Sequence, residues 1–140
     1  MTLFKKPGDK ASLEEGTELT PKFGADGLIP CIAQDEATGE VVMFAFMNEV
    51  SLAKTLETGE AWYWSRSRKE LWHKGATSGS IQTIKEIRTD CDQDVILIKL
   101  DTAGDGSNCH RHVKSCFYRS IDVDPESATN SALMHEDETK

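Results

Sequence analysis

The stretch that most constrains this chain lies between Asp90 and Cys116. Asp90-Cys91-Asp92-Gln93-Asp94 sets three carboxylates and one thiol in five residues and runs straight into the apolar segment Val95-Ile96-Leu97-Ile98-Lys99-Leu100. Two further thiols, Cys109 and Cys116, follow, with His110 beside the first. A short apolar run rich in β-branched residues reads as a strand, so the ligand-bearing residues sit on a rigid element. If residues 90–94 already belong to that strand, side chains alternate faces with a period of two. Asp90, Asp92 and Asp94 then point one way, and Cys91 with Gln93 the other. Hard carboxylate oxygens suit magnesium or calcium, whereas soft thiolates suit zinc. One pentapeptide thus offers ligands to two metals, the plainer alternative being a solvated acidic turn beside a buried cysteine.

At 140 residues the chain has the length of one domain with a real core. The 24 acidic residues outnumber the 16 basic ones, leaving a formal charge of −8. That balance argues against nonspecific nucleic-acid binding, which needs a basic footprint. It leaves room for an anionic small molecule, because local basic groups can offset the global field. Neither a membrane span nor the apolar core of a signal peptide is visible, so a cytoplasmic, reducing compartment is the expectation. There the four cysteines read as metal ligands or reactive groups rather than disulfides. Cys31, alone in Leu28-Ile29-Pro30-Cys31-Ile32-Ala33, reads as a small buried hydrophobe.

The apolar runs 28–34 and 40–46 flank a polar, Gly-ended connector of hairpin length. Asn48 is a good helix N-cap and Gly59 a good stop, and Val50, Ala53 and Leu56 recur at helical spacing, which predicts a helix over 49–58. Strands are expected at 61–64, 70–73, 81–87, 94–101 and 116–123, with the alternation at 81–87 imperfect. The fold class is therefore α+β, mainly antiparallel β in a barrel-like folded sheet with one or two short helices. A flexible N-terminal segment over 1–17, a single domain over 18–124 and an acidic, disordered tail over 125–140 complete the expected organisation.

Cys91, Cys109 and Cys116 supply three thiolates with no obvious fourth ligand. Structural zinc usually takes four protein ligands and catalytic zinc keeps a position open for water, so the set leans towards catalysis. His110 could then move protons, with a fourth ligand or a surface histidine as its alternatives; His73 and His112 read as bystanders. Ser65-Arg66-Ser67-Arg68-Lys69 with Trp72-His73-Lys74-Gly75 and Thr77-Ser78-Gly79 is the main basic and hydroxyl-rich region. Arginine forks bind phosphate, and small loop residues let backbone amides approach anionic oxygens. Trp62, Trp64 and Trp72 offer faces to a base or fill the core.

Taken together, these segments resemble the phosphoribosyl-AMP cyclohydrolase family. The matching residues are Gly27-Leu28-Ile29-Pro30, Ala45-Phe46-Met47-Asn48, Ser65-Arg66-Ser67-Arg68, Leu71-Trp72, Lys74-Gly75, Thr77-Ser78-Gly79, Asp90 to Asp94, Cys109-His110 and Ser115-Cys116-Phe117-Tyr118-Arg119. The resemblance implies a hydrolase of histidine biosynthesis that opens the adenine ring of 1-(5-phosphoribosyl)-AMP at the N1–C6 bond, giving the formimino-aminoimidazole carboxamide ribonucleotide. It implies zinc on Cys91, Cys109 and Cys116 and magnesium on Asp90, Asp92 and Asp94. It also implies an intertwined homodimer, with Cys91 from one subunit and the other two cysteines from its partner. Substitution at N1 makes C6 an electron-poor carbon open to zinc-activated water. His110 is then the candidate acid/base for the leaving nitrogen. Arg66, Arg68, Trp72, Lys74, Thr77, Ser78 and Gly79 are the candidate substrate contacts.

The chain departs from the family's pattern at Ser80, at His73 and across Arg111-His112-Val113-Lys114, where a glycine is usual at the second position. That loss predicts a changed path for the loop. A monofunctional enzyme is expected, and the competing class is a small zinc-stabilised binding module without catalysis.

Overall fold

The protein is described by a computed structural model over residues 3–123 and 125–135. Its elements are α1 (Lys10–Glu15), β1 (Ile29–Asp35), β2 (Val41–Met47), α2 (Glu49–Thr58), β3 (Trp62–Ser65), β4 (Glu70–His73), β5 (Gln82–Thr89), β6 (Ile96–Thr102), β7 (Arg119–Ile121), a 3-10 helix (Pro125–Asn130) and β8 (Leu133–His135). Six strands form one sheet in the order β4-β3-β2-β1-β6-β5, while β7 and β8 make a separate antiparallel ribbon. All pairs in the large sheet are antiparallel except β1 with β6. The sheet curls: the segment just before β3 bonds to the start of β5, through Ile84 N to Gly59 O at 2.8 Å and Ala61 N to Gln82 O at 3.0 Å. The α+β, barrel-like expectation is met at this level.

Local chemistry sets the first half. Asp35 Oδ2 accepts from Thr38 N (3.0 Å) and Thr38 Oγ1 (2.7 Å), closing the β1–β2 hairpin. Ile29, Cys31 and Ala33 on β1 lie beside Ile96, Ile98 and Leu100 on the adjacent, parallel β6, all of them buried in the core. Cys31 is a core residue, as expected.

Helix α2 starts on a capping box: Asn48 Oδ1 accepts from Ser51 N at 2.9 Å and Ser51 Oγ from Asn48 N at 2.8 Å. It ends at Gly59, whose φ of 73° is the left-handed stop. Its buried residues, however, are Ser51, Leu52 and Thr55. The expected stripe is turned outward, Val50 and Leu56 being exposed. Leu52 enters the core, and beside it Thr55 Oγ1 donates to Ser51 O at 2.8 Å and accepts from Trp62 N at 3.0 Å. That anchor to β3 decides the helix's rotation over apolar periodicity.

Between β6 and β7 the chain runs without regular structure, so the strand expected over 116–123 shrinks to Arg119–Ile121. Where a disordered tail is expected, Pro125–Asn130 forms the 3-10 helix and Leu133–His135 pairs with β7. The rest of that expectation, 136–140, lies outside the described residues. At the other end, α1 falls within the segment expected to be flexible. Among the described residues no helix is long and apolar enough to cross a membrane.

Candidate active site

The loop carrying Cys109 and Cys116 is held from below by a buried polar chain. Tyr63 Oη donates to Gln82 Oε1 at 2.7 Å, and Gln82 Nε2 donates to Asn108 Oδ1 at 2.7 Å. Thr102 Oγ1 also donates to Asn108 Oδ1 (2.8 Å), and Asn108 Nδ2 donates to Lys114 O (2.9 Å). The loop closes through Val113 O, which accepts from both Asn108 N and Cys109 N. It is tied to β2 by Cys116 N to Val42 O at 2.7 Å and Ser115 Oγ to Val41 O at 2.8 Å. Cys109 is buried, and Cys116 opens to the surface. Partial burial of its sulfur and the Cys109 thiol beside it push the Cys116 thiol up to about 11, with Lys74 opposing.

Gln82, Asn108 and Tyr63 are positioning residues that sequence reasoning missed. The signal was present: the imperfect alternation over 81–87 is Gln82 occupying an inward, fully buried place on β5. Gln82→Leu is expected to cost about 1–3 kcal/mol in urea denaturation, because the Tyr63 hydroxyl is left buried without its acceptor. Adding Tyr63→Phe should recover part of that loss; a double variant less stable than the single one would refute the network.

Above this loop lies a cleft of about 420 Å³. It gathers Arg68, Trp72, Lys74, Thr77 and Ser78 of the expected substrate contacts around Cys109 and His110, and adds His73, Ser80, Asp105, Ser107 and His112. Gly79 is not among the cleft residues; it closes the turn beside them, Gly79 N donating to Gly75 O at 2.8 Å. Burial lowers the pKa of Lys74, with Cys116, Cys109 and Asp105 opposing. Asp105 is held down to about 2, chiefly by the hydroxyl and N–H of Ser107, with help from the Ser80 hydroxyl. Asp105 thus stays an anion facing Lys74 and braces the two loops that frame the cleft. Arg66 is not among the cleft residues. Its guanidinium lies 4.1 Å over the Phe46 ring, in a neighbouring depression that shares only Trp72 with the cleft.

His112, expected to alter the loop, takes φ +63°, a left-handed conformation suited to glycine. The backbone keeps a glycine-type turn and carries an imidazole on it, 3.7 Å from Asp105. His73 has structural partners: its Nε2 meets Glu60 Oε1 at 2.7 Å and its ring stacks on Trp62 at 4.3 Å.

The aspartate cluster corrects the strand reading. Residues 90–94 are the turn between β5 and β6, with Asp90 Oδ1 accepting from Asp94 N (2.9 Å) and Val95 N (3.1 Å). Strand alternation therefore does not apply. Asp90, Cys91 and Asp92 do not diverge; one ligand atom from each lies within 4.8 Å of the others. The reason is local, since a carboxylate that caps the turn's own amides and a left-handed Gln93 (φ +60°) fold the pentapeptide back. Asp92 Oδ1 is buried with no hydrogen-bond partner among the described residues. Asp90 and Asp92 push Asp94 up to about 6. Crowded carboxylates with an orphaned oxygen fit a hard divalent cation. Cys109 and Cys116 fit a soft one, and among the described residues Cys91 does not cluster with them.

Comparison with known proteins places these features in one stretch. The family model for phosphoribosyl-AMP cyclohydrolase matches residues 43–118, from β2 through the turn, the cleft and both loop cysteines. The phosphoribosyl-AMP cyclohydrolase of Brucella canis is 53% identical over 122 residues, covering 86% of this chain and 88% of the relative. That of Brucella anthropi is 49% identical over 134 residues, covering 94% and 95%. The Rhodopseudomonas palustris protein of the same name is 53% identical over 116 residues, covering 83% and 78%.

Proposed function

The chain belongs to the phosphoribosyl-AMP cyclohydrolase family, and from that premise we propose that it hydrolyses the N1–C6 bond of 1-(5-phosphoribosyl)-AMP in histidine biosynthesis. The observation that carries this reading is the cleft itself, where phosphate-binding groups and the Cys109–His110 pair share one cavity. Arg68 and Lys74 hold the phosphates, assisted by the hydroxyls of Thr77 and Ser78, and the Trp72 ring offers a face to the purine. Water adds to C6, the C6–N1 bond breaks, and N1 leaves with a proton. His110 lines the cleft beside Cys109, which supports it as the group that delivers that proton.

Cys109 and Cys116 would hold zinc, which when bound supplies Lewis-acid activation of water, lowering its pKa towards ~7. Asp90, Asp92 and Asp94 would hold magnesium. The separation of Cys91 from the other two thiols within one chain supports a homodimer in which Cys91 of one subunit meets Cys109 and Cys116 of its partner. A cytoplasmic, reducing compartment keeps such thiols free.

Incubating the zinc- and magnesium-loaded protein with phosphoribosyl-AMP should change the ultraviolet spectrum as the purine opens to an aminoimidazole. A folded, metal-replete protein that leaves the spectrum untouched would mark a binding module instead.

A further inference from the structure

Gln93 lies inside the acidic turn, yet none of its side-chain bonds goes to the turn. Its Oε1 accepts from Thr20 N at 2.8 Å, and its Nε2 donates to Leu13 O at 3.1 Å and Glu18 O at 3.4 Å. Its backbone carbonyl accepts from Lys22 N at 2.7 Å, while its own N–H donates to Asp90 O at 3.1 Å. The residue is 5% exposed, and its backbone sits at φ +60°, a conformation costly for any residue but glycine. One amide thus both accepts from and donates to a segment more than seventy positions earlier in sequence. That double role needs Gln: a hydrocarbon can make neither bond. Between the segment and the turn lies a cavity of about 450 Å³, walled on one side by Asp90 and Cys91 and on the other by residues 13–14 and 16–19.

We propose that Gln93 is the positioning residue of the aspartate site. It latches the strap formed by residues 13–22 onto the turn and so holds Asp90, Asp92 and Asp94 in their cation-binding arrangement. The inference rests on the reading of those aspartates as a divalent-cation site. The strap does not bind the cation through the latch; it fixes the turn's shape. With the latch open, the strained Gln93 backbone is free to relax, and the carboxylates on either side of it diverge.

The test uses Mn2+ in place of magnesium, titrated into the full-length, zinc-loaded chain and followed by the electron paramagnetic resonance signal of the free ion. Wild type should bind, and Asp92→Asn should not. Gln93→Leu, which keeps the packing and loses every side-chain bond, should weaken Mn2+ by about 10- to 100-fold, the effect of removing a ligand's supporting partner. The far-ultraviolet circular dichroism spectrum and the cooperativity of thermal unfolding should stay at the wild-type level, which general loosening of the fold would not preserve. Gln93→Gly relieves the backbone but cannot latch, and should weaken Mn2+ as well. Should Gln93→Leu fail to fold, Thr20→Pro carries the test from the strap side, since it removes the N–H that Gln93 accepts without altering any residue of the turn, and should also lose Mn2+ affinity. Wild-type Mn2+ affinity in the Gln93 variants, with Asp92→Asn unable to bind, overturns the latch alone. Failure of wild type to bind, or unaltered binding by Asp92→Asn, overturns the cation site on which the latch depends.

Discussion

Cys109→Ala is expected to abolish ring opening and lower the zinc content while leaving a folded protein. Cys109 is buried at the head of the loop, and its N–H is already satisfied by Val113 O. The variant therefore removes a sulfur without disturbing the Asn108 chain beneath it. Activity should fall by more than the ~100-fold that loss of a ligand's outer partner can cost, because here a ligand itself is removed. Cys31→Ala is the control. That thiol is fully buried between β1 and its neighbours, and burial pushes its pKa far above the range of a reactive cysteine. It should keep zinc and activity. Metal analysis beside the spectral assay checks both, and an active, zinc-replete Cys109→Ala variant would refute the cysteine site.

The second large effect is expected at Gly75. Its φ is +86°, and a Cβ there would stand 2.3 Å from the carbonyl carbon and oxygen of Ser80 and 2.4 Å from Ile81 N. All three are backbone atoms and cannot swing away. Gly75→Ala combines a left-handed penalty of ~1–2 kcal/mol with overpacking of ~1–3 kcal/mol. A total loss near 3 kcal/mol should lower the melting temperature by roughly 10 °C. The surviving folded fraction should also bind substrate poorly, because the turn carrying Lys74, Thr77 and Ser78 must open. Gly79→Ala provides the contrast: φ is +87° but nothing lies within 4 Å of the added Cβ, so only the backbone penalty applies. Calorimetry of the two variants decides it, and equal melting temperatures would disprove the steric account.

How much of this was legible in the sequence depends on how local each feature is. The β1–β2 hairpin, the Asn48 cap and the Gly59 stop are decided within four residues, and they stand where the sequence places them. The face of α2 was misread because Thr55 docks through hydrogen bonds to Trp62, which apolar periodicity does not register. The aspartate turn stands among the sequence's alternatives, but its left-handed Gln93 does not show there, because the residue is not glycine. Its side chain is held by Thr20 N, far away in sequence. Arg66 and Arg68 belong to one motif, yet a single ring, Phe46, draws Arg66 out of the cleft. The ligand types were readable from composition alone, but their sorting into a cleft and a separate turn was not.

The parallel pairing of β1 with β6 has a consequence for synthesis. β1 takes its second neighbour from a strand that leaves the ribosome only after β2, β3, β4 and β5 have been made. Until then the edge facing β6 is an unpaired row of backbone donors and acceptors beside Ile29 and Cys31, open to pairing with another nascent chain. Such distant pairing slows folding and prolongs that exposure. For this domain, the interval between translation of Asp35 and of Ile96 is the window in which a chaperone has most to protect.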